Sequence, residues 1–271
     1  MLFSRNLLRS TATCTFSCQL VFKDSLLLPF AQRNFLPQSS QHLGSGSANK
    51  YVTARSMTTA YDGEPGDGMD GLEKISYLPM KTNIKNGRQV EVAPFQEEDW
   101  PVGMELMNLI IREGKTWPFD KEFDTIDAYR AYFLSHAAFV VRAREAGVDS
   151  NGDEYEVGNI LGCFYIKPNF PGRCSHICNG GFITTPRFRN NGVATIMGKS
   201  FVKMARDLGY KSSYFNLVFK SNEASIRLWE SLGFERVAVL ENAANLEGVE
   251  GLDTAYGYRF DLEQLPSDYE V

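Results

Sequence analysis

The sequence predicts an α/β (α+β) fold in which helices cover both faces of a mixed central sheet. Apolar stretches with strand spacing alternate with stretches of helical spacing, in the order β-α-α-β-β-β-α-β-α-β-β. Apolar residues make up 43% of the 271 residues, which is enough for a sizeable core. A polar turn of Arg and Asn, at residues 187–191, separates a strand from a long helix. We therefore expect one α/β domain organised around that turn.

The first 60 residues differ in composition from the rest of the chain. They carry six basic residues and one acidic residue, and they are rich in Ser, Thr and Gln. This composition is typical of a mitochondrial transit peptide, and the alternative is a disordered tail. Met57 also offers an internal start, which would give a cytosolic form. Residues 61–72 predict a linker rich in Gly and Asp, and residues 73–271 predict the folded domain.

Charge and hydropathy exclude several classes of partner. The chain after residue 60 holds 22 basic and 32 acidic residues, a net charge of −10. This argues against nucleic acid, because binding to its phosphates needs clustered positive charge. No apolar run approaches the roughly 20 residues of a membrane span. Five scattered cysteines indicate no disulfide framework.

Turn residues, caps and apolar periodicity predict the elements of the first half. Asn86-Gly87 marks a turn before the first strand. Pro101 and an acidic first turn favour the first helix, which residues 114–119 break. Residues 167–172 contain two prolines and a glycine, which cannot continue the hydrogen bonding of a strand, so we predict a turn there. The predicted elements are a strand over 88–95, a helix over 96–113, a helix capped by Asp124 and running through Leu134, a strand over 137–141, a polar loop over 147–156 and a strand over 159–166.

The second half continues the alternation of strands and helices. Apolar residues from Val193 to Leu208 recur at helical spacing, and Gly209 ends that helix. A further helix starts at Ser221-Asn222 and is closed by Gly233. The predicted strands cover residues 177–184, 213–219, 234–240 and 254–260.

The turn before the third helix has the features of an anion-binding cradle. The first N–H groups of a helix have no partner within it, and the helix dipole favours negative charge there. A glycine in the turn lets a bulky anion approach the main chain. We therefore predict a pyrophosphate site, and the alternative is an ordinary solvated basic loop. The predicted cradle comprises Arg187, Arg189, Asn190, Asn191, Gly192, Val193 and Ala194.

Two motifs resemble those of the GCN5-related N-acetyltransferase (GNAT) superfamily. Arg189-x-x-Gly192-x-Ala194 is similar to its acyl-CoA signature. The motifs lie on the predicted elements in the right order, so the resemblance implies the GNAT fold, acetyltransferase activity and acetyl-CoA as the acetyl donor. The second signature is matched at Asn222, Ser225, Trp229 and Gly233-Phe234.

Three longer segments resemble one group in that superfamily, the fungal L-azetidine-2-carboxylate (proline-analogue) N-acetyltransferases. They lie within residues 113–118, 162–179 and 214–225. This resemblance covers residues 85–265 and leaves out the N-terminal arm. It implies a small cyclic amino acid as acceptor, a homodimer and a link to oxidative-stress tolerance.

The resemblance assigns roles to three amides. In the resembled group two amides contact the carboxylate of the amino-acid substrate, and these positions match Asn179 and Asn216. Asn179 stands where many superfamily members have a carboxylate base, and an amide cannot take a proton. Asn216 lies among apolar neighbours, so it is either a structural pin or a substrate ligand. Asn222 matches a position near the reaction centre and also suits a helix N-cap.

Acetyl transfer requires that the thioester of acetyl-CoA is bound in position and that the attacking amine is neutral. It also requires hydrogen-bond donors for the developing oxyanion and a proton for the leaving thiolate. Backbone N–H groups around Phe182 and Ile183 are the predicted partners of the pantetheine arm and the thioester carbonyl. Trp229 stands where the superfamily usually has a Tyr acid. An indole N–H is no acid at neutral pH, so we predict that Trp229 belongs to the core. We expect an ordered water as the base and direct transfer without a covalent enzyme intermediate.

Two further groups are candidate site residues. Cys174-x-His176-x-Cys178 could share one strand face. Structural zinc usually takes four ligands at other spacings, so we expect no metal and a packing role, with His176 as a proton relay the alternative. Trp117 lies between the first two helices, where it is expected to pack on a small acceptor ring or to seal the core.

Three functions compete on these observations. The first is an acetyl-CoA-dependent, mitochondrial N-acetyltransferase that acts on a small cyclic amino acid. The second is an N-acetyltransferase of the same fold that acts on protein N-termini, lysine or a polyamine. The net negative charge of the chain after residue 60 favours such cationic acceptors. The third is a non-catalytic acyl-CoA-binding module, which the missing Tyr and the missing strand carboxylate favour. Neutral amides fit a carboxylate-bearing small molecule better than a lysine side chain, so the first is preferred.

Overall fold

A computed structural model of the chain describes residues 60–61, 63–149 and 151–271. The targeting segment predicted for residues 1–60 therefore lies, apart from Ala60, outside the described residues. The helices are α1 (Trp100–Glu113), α2 (Ile126–Phe133), α3 (Val193–Asp207) and α4 (Glu223–Ser231). The strands are β1 (Met80–Asn83), β2 (Gln89–Pro94), β3 (Ala137–Ala143), β4 (Gly147–Val148), β5 (Glu154–Tyr155), β6 (Ile160–Pro168), β7 (Ile177–Thr184), β8 (Ser212–Phe219), β9 (Glu235–Ala244) and β10 (Asp253–Asp261).

Eight of these strands form one mixed sheet in the order β1-β2-β3-β6-β7-β8-β10-β9. All neighbours in it are antiparallel except β7 and β8, which run parallel. The crossover between them is α3, as a parallel connection requires. The predicted α/β fold with a mixed central sheet is confirmed.

β7 and β8 separate soon after they start. Their parallel register consists of Ile177 opposite Ser212 and Cys178 opposite Ser213. Beyond these pairs β7 stays with β6 and β8 stays with β10. The sheet therefore opens into a wedge between the carboxyl-terminal halves of β7 and β8, next to the start of α3.

The two faces of the wedge are packed differently. On one face α3 and α4 cover an aromatic core, in which the rings of Phe182 and Phe215 lie 4.7 and 4.6 Å from that of Trp229. On the other face α1 and α2 cover a cluster that includes Tyr165 and Ile183. Because successive strand residues point to opposite faces, Asn179 and Gly181 of β7 share the α1–α2 face with Ile183.

Four local predictions differ from the structure. The predicted loop over 147–156 contains the hairpin β4–β5, and β1 was not predicted. The first helix starts at Trp100 after a short 3-10 turn instead of at Gln96. The second helix is capped by Thr125, whose hydroxyl accepts from Ala128 N, and not by Asp124.

The predicted turn over residues 167–172 starts two residues later than expected. β6 continues through Lys167 and Pro168, which lie opposite Asn179 and Cys178 of β7. Pro168 is tolerated because β3 on the other side begins opposite Ile166, so no strand there needs its missing N–H.

The stretch predicted as a linker lies against the domain. Ala60 is 1% exposed, and the Gly68 amide donates to the Leu134 carbonyl at 2.9 Å. Packed structure in the described chain therefore extends back to Ala60. No helix among the described residues is long and apolar enough to cross a membrane.

Candidate active site

The cradle has the backbone geometry that an anion site needs. Gly192 precedes α3 with φ 84°, and Asn190 also has a positive φ of 67°. No side chain of the described residues caps the first turn of α3, so the N–H groups there, which begin at Val193 and Ala194, stay directed at the turn. Asn191 supports the turn, because its carbonyl accepts from Lys85 N at 3.1 Å. The residues present therefore suit a pyrophosphate.

The two arginines of the cradle are held by other parts of the chain. Arg189 bonds both carboxylate oxygens of Glu113, at 3.0 and 2.9 Å. Arg187 donates to the Asn159 side chain at 2.7 Å and to the Glu154 carbonyl at 3.3 Å. These contacts fix the turn against the end of α1 and against the residues between β4 and β6. The main chain of α3 is thus the part of the cradle that faces an anion.

Phe182 and Ile183 point their amides in opposite directions. Thr185 N donates to Leu161 O, so Thr185 and Leu161 are a hydrogen-bonded pair between the antiparallel strands β6 and β7. Hydrogen-bonded pairs alternate in an antiparallel ladder, so Ile183 directs its N–H at β6 and Phe182 directs its N–H toward β8. Since β8 has parted from β7 at that level, the predicted thioester contact fits Phe182 and does not fit Ile183.

Asn222 and Trp229 are both placed by α4. The Asn222 side chain accepts from Ser225 N at 3.2 Å and so caps the helix. Trp229 is 4% exposed, and its Nε1–H donates to Ser225 Oγ at 2.8 Å. The prediction that Trp229 belongs to the core is confirmed.

Asn179 and Lys167 form a polar pair on the α1–α2 face of the wedge. They lie directly opposite each other on β7 and β6. Asn179 is 7% exposed, and its side-chain amide makes no hydrogen bond to any of the described residues. Lys167 is fully buried, and its Nζ donates to the Tyr132 carbonyl at 2.8 Å. A buried amide and a buried ammonium here are suited to hold an anionic group.

Two tyrosines surround the Lys167 ammonium. Its Nζ lies 4.1 Å from the Tyr132 ring centre and 4.6 Å from that of Tyr165. The two hydroxyls lie 3.0 Å apart. Burial, and then their mutual contact, raises the pKa of Tyr132, and burial raises the pKa of Tyr165. Both phenols therefore stay protonated at neutral pH, where one donates to the other and neither acts as a base.

Asn216 is held by a second amide. Asn216 Nδ2 donates to Asn169 Oδ1 at 2.7 Å, and Asn169 Nδ2 donates back to Asn216 Oδ1 at 2.9 Å. The side chain of Tyr61 is also hydrogen-bonded to Asn216. Of the two roles open to Asn216, the contacts favour the structural pin.

Trp117 stands beside β7 at the same face. A Cβ on Gly181 would collide with the rings of Trp117 and Tyr165, so glycine lets the indole approach the strand. The Trp117 ring lies 6.5 Å from Phe119, with which it is stacked, and 5.9 Å from Tyr132. It also lines a cavity of about 620 Å³ between the α1–α2 connection and the β9–β10 connection. Trp117 therefore packs against the core and also lines a cavity, and its contact with an acceptor ring stays a prediction.

The Cys-x-His-x-Cys run does not share a strand face. Cys174 lies in an exposed 3-10 turn before β7, whereas Cys178 is buried within β7. Burial raises the pKa of the Cys178 thiol to about 12. Among the described residues no group of three or more His, Cys, Asp or Glu is arranged to hold a metal.

Three residues of this face were missed by sequence reasoning. Lys167 and Asn169 fell in the segment predicted as a turn, and Tyr61 fell in the predicted linker. A signal was present in the sequence only for Lys167. The residues from Cys163 to Ile166 before it are apolar, so the predicted strand could have been extended by one residue to include it.

The fold agrees with comparisons to known proteins. The model of the acetyltransferase (GNAT) family matches residues 104–234. The N-acetyltransferase aca1 of Schizosaccharomyces pombe is 36% identical over 193 residues, which are 69% of this chain and 88% of that protein. The chain therefore belongs to the GNAT acetyltransferase family.

Solved structures show the same fold at low sequence identity. A GCN5-related N-acetyltransferase from Kribbella flavida is 22% identical with a TM-score of 0.54, over 64% of this chain and 97% of that one. The yncA protein of Salmonella typhimurium, solved with its cofactor acetyl-CoA, is 16% identical with a TM-score of 0.53, over 67% of this chain and 98% of that one. The protein is thus an N-acetyltransferase enzyme, and acetyl-CoA is its acetyl donor.

Proposed function

We propose that this N-acetyltransferase acts on a small cyclic amino acid of the azetidine-2-carboxylate or proline-analogue type. The observation that carries the proposal is the pair of Asn179 and Lys167 on the acceptor face of the wedge. An amino-acid acceptor brings a carboxylate, which needs donors and positive charge close to the reacting amine. Asn179 offers an amide with no partner in the described chain, and Lys167 offers a buried ammonium.

The charge of Lys167 argues against a cationic acceptor. A fully buried ammonium acts through a medium of low effective dielectric constant, so its field reaches a neighbouring group with little screening. It attracts the carboxylate of an amino acid, and it repels the extra ammonium groups of a polyamine. The same field lowers the pKa of a bound amine, which favours the neutral form that attacks a thioester.

The other residues of the site divide the remaining tasks. Acetyl-CoA supplies the activated acetyl group. The first turn of α3 and Gly192 hold its pyrophosphate, and the Phe182 amide stands in the wedge where a thioester oxygen needs a donor. An ordered water takes the proton of the amine, because Asn179 cannot. Trp229 lies in the core and its N–H is used within α4, so the thiolate leaves without a Tyr acid.

A second candidate is a protein, lysine or polyamine N-acetyltransferase. One observation favours it, namely that the cavity beside Trp117 is lined by Asp120, Glu122 and Glu247 against Arg112 alone. These acids lie near the surface, where solvent screens their charge, and Glu122 is already paired with Arg112 at 2.5 Å. The buried Lys167 therefore has the larger influence on an acceptor.

Free-thiol release from acetyl-CoA by the full chain tests the two candidates. The acceptors are azetidine-2-carboxylate, proline, lysine and spermidine. We expect turnover with the cyclic amino acids, and an increase of about tenfold or more in their KM in Asn179→Ala and Lys167→Met, with CoA binding retained. Lys203→Met is the matched control, because Lys203 also donates to a backbone carbonyl and lies over a tyrosine ring, but on α3 away from the site.

The outcomes separate the candidates. Turnover with spermidine or lysine, and none with azetidine-2-carboxylate, would contradict the proposed acceptor and favour the second candidate. A KM for azetidine-2-carboxylate that Lys167→Met leaves unchanged would refute the electrostatic argument.

We further propose that two copies of the chain associate through β9. This strand is at the edge of the sheet, and it exposes Val237, Val239 and Leu240 by 51, 61 and 55%. An exposed apolar edge strand is a ready surface for pairing. Light scattering after gel filtration is expected to give a dimer, and Val239→Lys a monomer. A monomer in the unmodified chain would contradict this proposal.

We also propose that the protein is imported into mitochondria, on the basis of its amino-acid composition. The basic, Ser- and Thr-rich arm of residues 1–60 supports it. Fusion of these residues to a fluorescent protein is expected to direct it to mitochondria, and fusion of a chain that starts at Met57 to leave it in the cytosol. A cytosolic signal from the first fusion would overturn the proposal.

A further inference from the structure

The described residues between Ala60 and Gly68 (60–61 and 63–68), here called the strap, are hydrogen-bonded to the acceptor face at both ends. The Ala60 amide donates to the Asn169 carbonyl at 3.3 Å. At the other end the Gly68 amide donates to the Leu134 carbonyl, and the Gly68 carbonyl accepts from Ala138 N, each at 2.9 Å. Residues with such backbone partners do not act as a free linker.

Two glycines of the strap lie too close to α2 for any side chain. A Cβ at Gly63 would lie 2.5 Å from the Ala131 carbonyl, and one at Gly66 would collide with the Leu134 carbonyl. Arg130 adds a hydrogen bond, because its Nε donates to the Gly66 carbonyl at 2.8 Å. The glycines that made this stretch look like a linker are thus the residues that let it dock.

The strap delivers Tyr61 to the amide pair. A side-chain amide has two N–H donors. Asn216 uses one on Asn169 Oδ1, at 2.7 Å, and the Asn216 side chain is also hydrogen-bonded to Tyr61. The position at which Asn216 was expected to meet a substrate carboxylate is therefore taken by the phenol of Tyr61.

Tyr61 also lies near the hydroxyls that surround Lys167. Besides their burial, the proximity of Tyr61 contributes to the raised pKa values of Tyr132 and Tyr165. Tyr61 is 42% exposed, and partial burial of its side chain raises its pKa, so this phenol is protonated at neutral pH. The three tyrosines and Lys167 thus line one polar region on the α1–α2 face.

We propose that Tyr61 is a binding residue of the acceptor site and that its hydroxyl donates to the carboxylate of the amino-acid acceptor. The inference rests on the proposed function, because it requires an acceptor with a carboxylate. The strap then forms one wall of the site, with Asn216 positioning Tyr61 and not touching the substrate itself. The catalytic unit accordingly includes Ala60 and Tyr61. A chain that starts at Met57 keeps this wall, whereas one that starts at residue 73 lacks it.

The test compares variants of the full chain on two acceptors, azetidine-2-carboxylate and azetidine, which lacks the carboxylate. Tyr61→Phe removes only the hydroxyl. We expect it to raise the KM for azetidine-2-carboxylate about tenfold, the effect of one lost hydrogen bond to a charged group. The KM values for azetidine and for acetyl-CoA are expected to stay unchanged.

Two controls separate the site from general stability. Glu64→Ala changes an exposed residue of the strap, and Tyr77→Phe removes a phenol that donates to Asp207 at 2.7 Å on the opposite face. Both are expected to leave the KM for azetidine-2-carboxylate unchanged. Gly66→Ala is expected to undock the strap, so that it raises this KM and also accelerates hydrogen exchange across residues 60–68.

Several results would overturn the inference. An unchanged KM in Tyr61→Phe would remove Tyr61 from the site, and faster turnover would mean that it blocks the acceptor. Rapid exchange of residues 60–68 in the unmodified chain would refute a docked strap whatever the substrate. If the unmodified chain acetylates only amines without a carboxylate, the proposed function and the role of Tyr61 both fail, while slow exchange would still support docking of the strap.

Discussion

Asn216→Ala is expected to destabilise the protein, although Asn216 lies in a region assigned to function. Asn169 is 2% exposed, and its side-chain donor and acceptor are both bonded to Asn216. Removal of Asn216 leaves both groups buried without these partners. Each such group costs about 1–3 kcal/mol, so the loss is about 2–4 kcal/mol after partial relaxation. For a chain of this size that corresponds to a melting temperature lower by roughly 5–12 °C.

Urea unfolding of Asn216→Ala and of the double variant Asn169→Ala/Asn216→Ala measures the effect. The double variant is expected to cost less than the sum of the two single variants, because the first change already leaves its partner unsatisfied. Asn179→Ala is the control, because its amide has no partner among the described residues, and it is expected to remain within about 0.5 kcal/mol of the unmodified chain. If Asn216→Ala is as mild as Asn179→Ala, or if the two changes are additive, the pair is not the structural pin inferred here.

Three other predictions concern the cradle, the core and the thiols. Gly192→Ala forces an L side chain into a left-handed conformation at φ 84°, which costs about 1–2 kcal/mol, and calorimetry is expected to show weaker CoA binding; unchanged binding would contradict the cradle. Trp229→Tyr restores the usual superfamily residue, but it is expected to lower the melting temperature without raising kcat, because this position packs the core; a higher kcat would show that an acid is needed. At pH 8 a maleimide is expected to label Cys174 and to spare Cys178 until the chain unfolds, because burial raises the pKa of Cys178 to about 12; mass spectrometry of peptides reads the result, and early labelling of Cys178 would contradict its burial.

Sequence reasoning succeeded where one local signal determines an element. The helical spacing from Val193 gives α3, and Asn222 caps α4 as its residue type suggests. It failed where two local signals compete. Asp124 and Thr125 are both good caps, and only the backbone conformation of Thr125 decides between them.

The proposed acceptor site was harder to predict because long-range contacts build it. Pro168 looked like the end of a strand, yet β3 begins only opposite Ile166, so no strand needs the missing N–H of Pro168, and β6 carries Lys167 into the core. Asn169 and Asn216 meet across 47 residues of sequence, and no local pattern pairs them. Tyr61 was assigned to a linker because glycine-rich composition does not distinguish a flexible segment from a closely docked one.

The proposed role of Lys167 in the acceptor site implies a cost in stability. A buried ammonium loses its hydration, and contacts such as those with the Tyr132 carbonyl and two aromatic rings offset part of that cost. Lys167→Met keeps a chain of similar length and removes the charge, so the free energy of unfolding is expected to stay equal or to rise, while the KM for azetidine-2-carboxylate rises. Urea unfolding and kinetics on the same preparation measure both quantities. A variant that loses both stability and activity would mean that Lys167 is a structural residue. If Lys167 serves only to bind an anion, the protein without a bound anion should fold equally well without it.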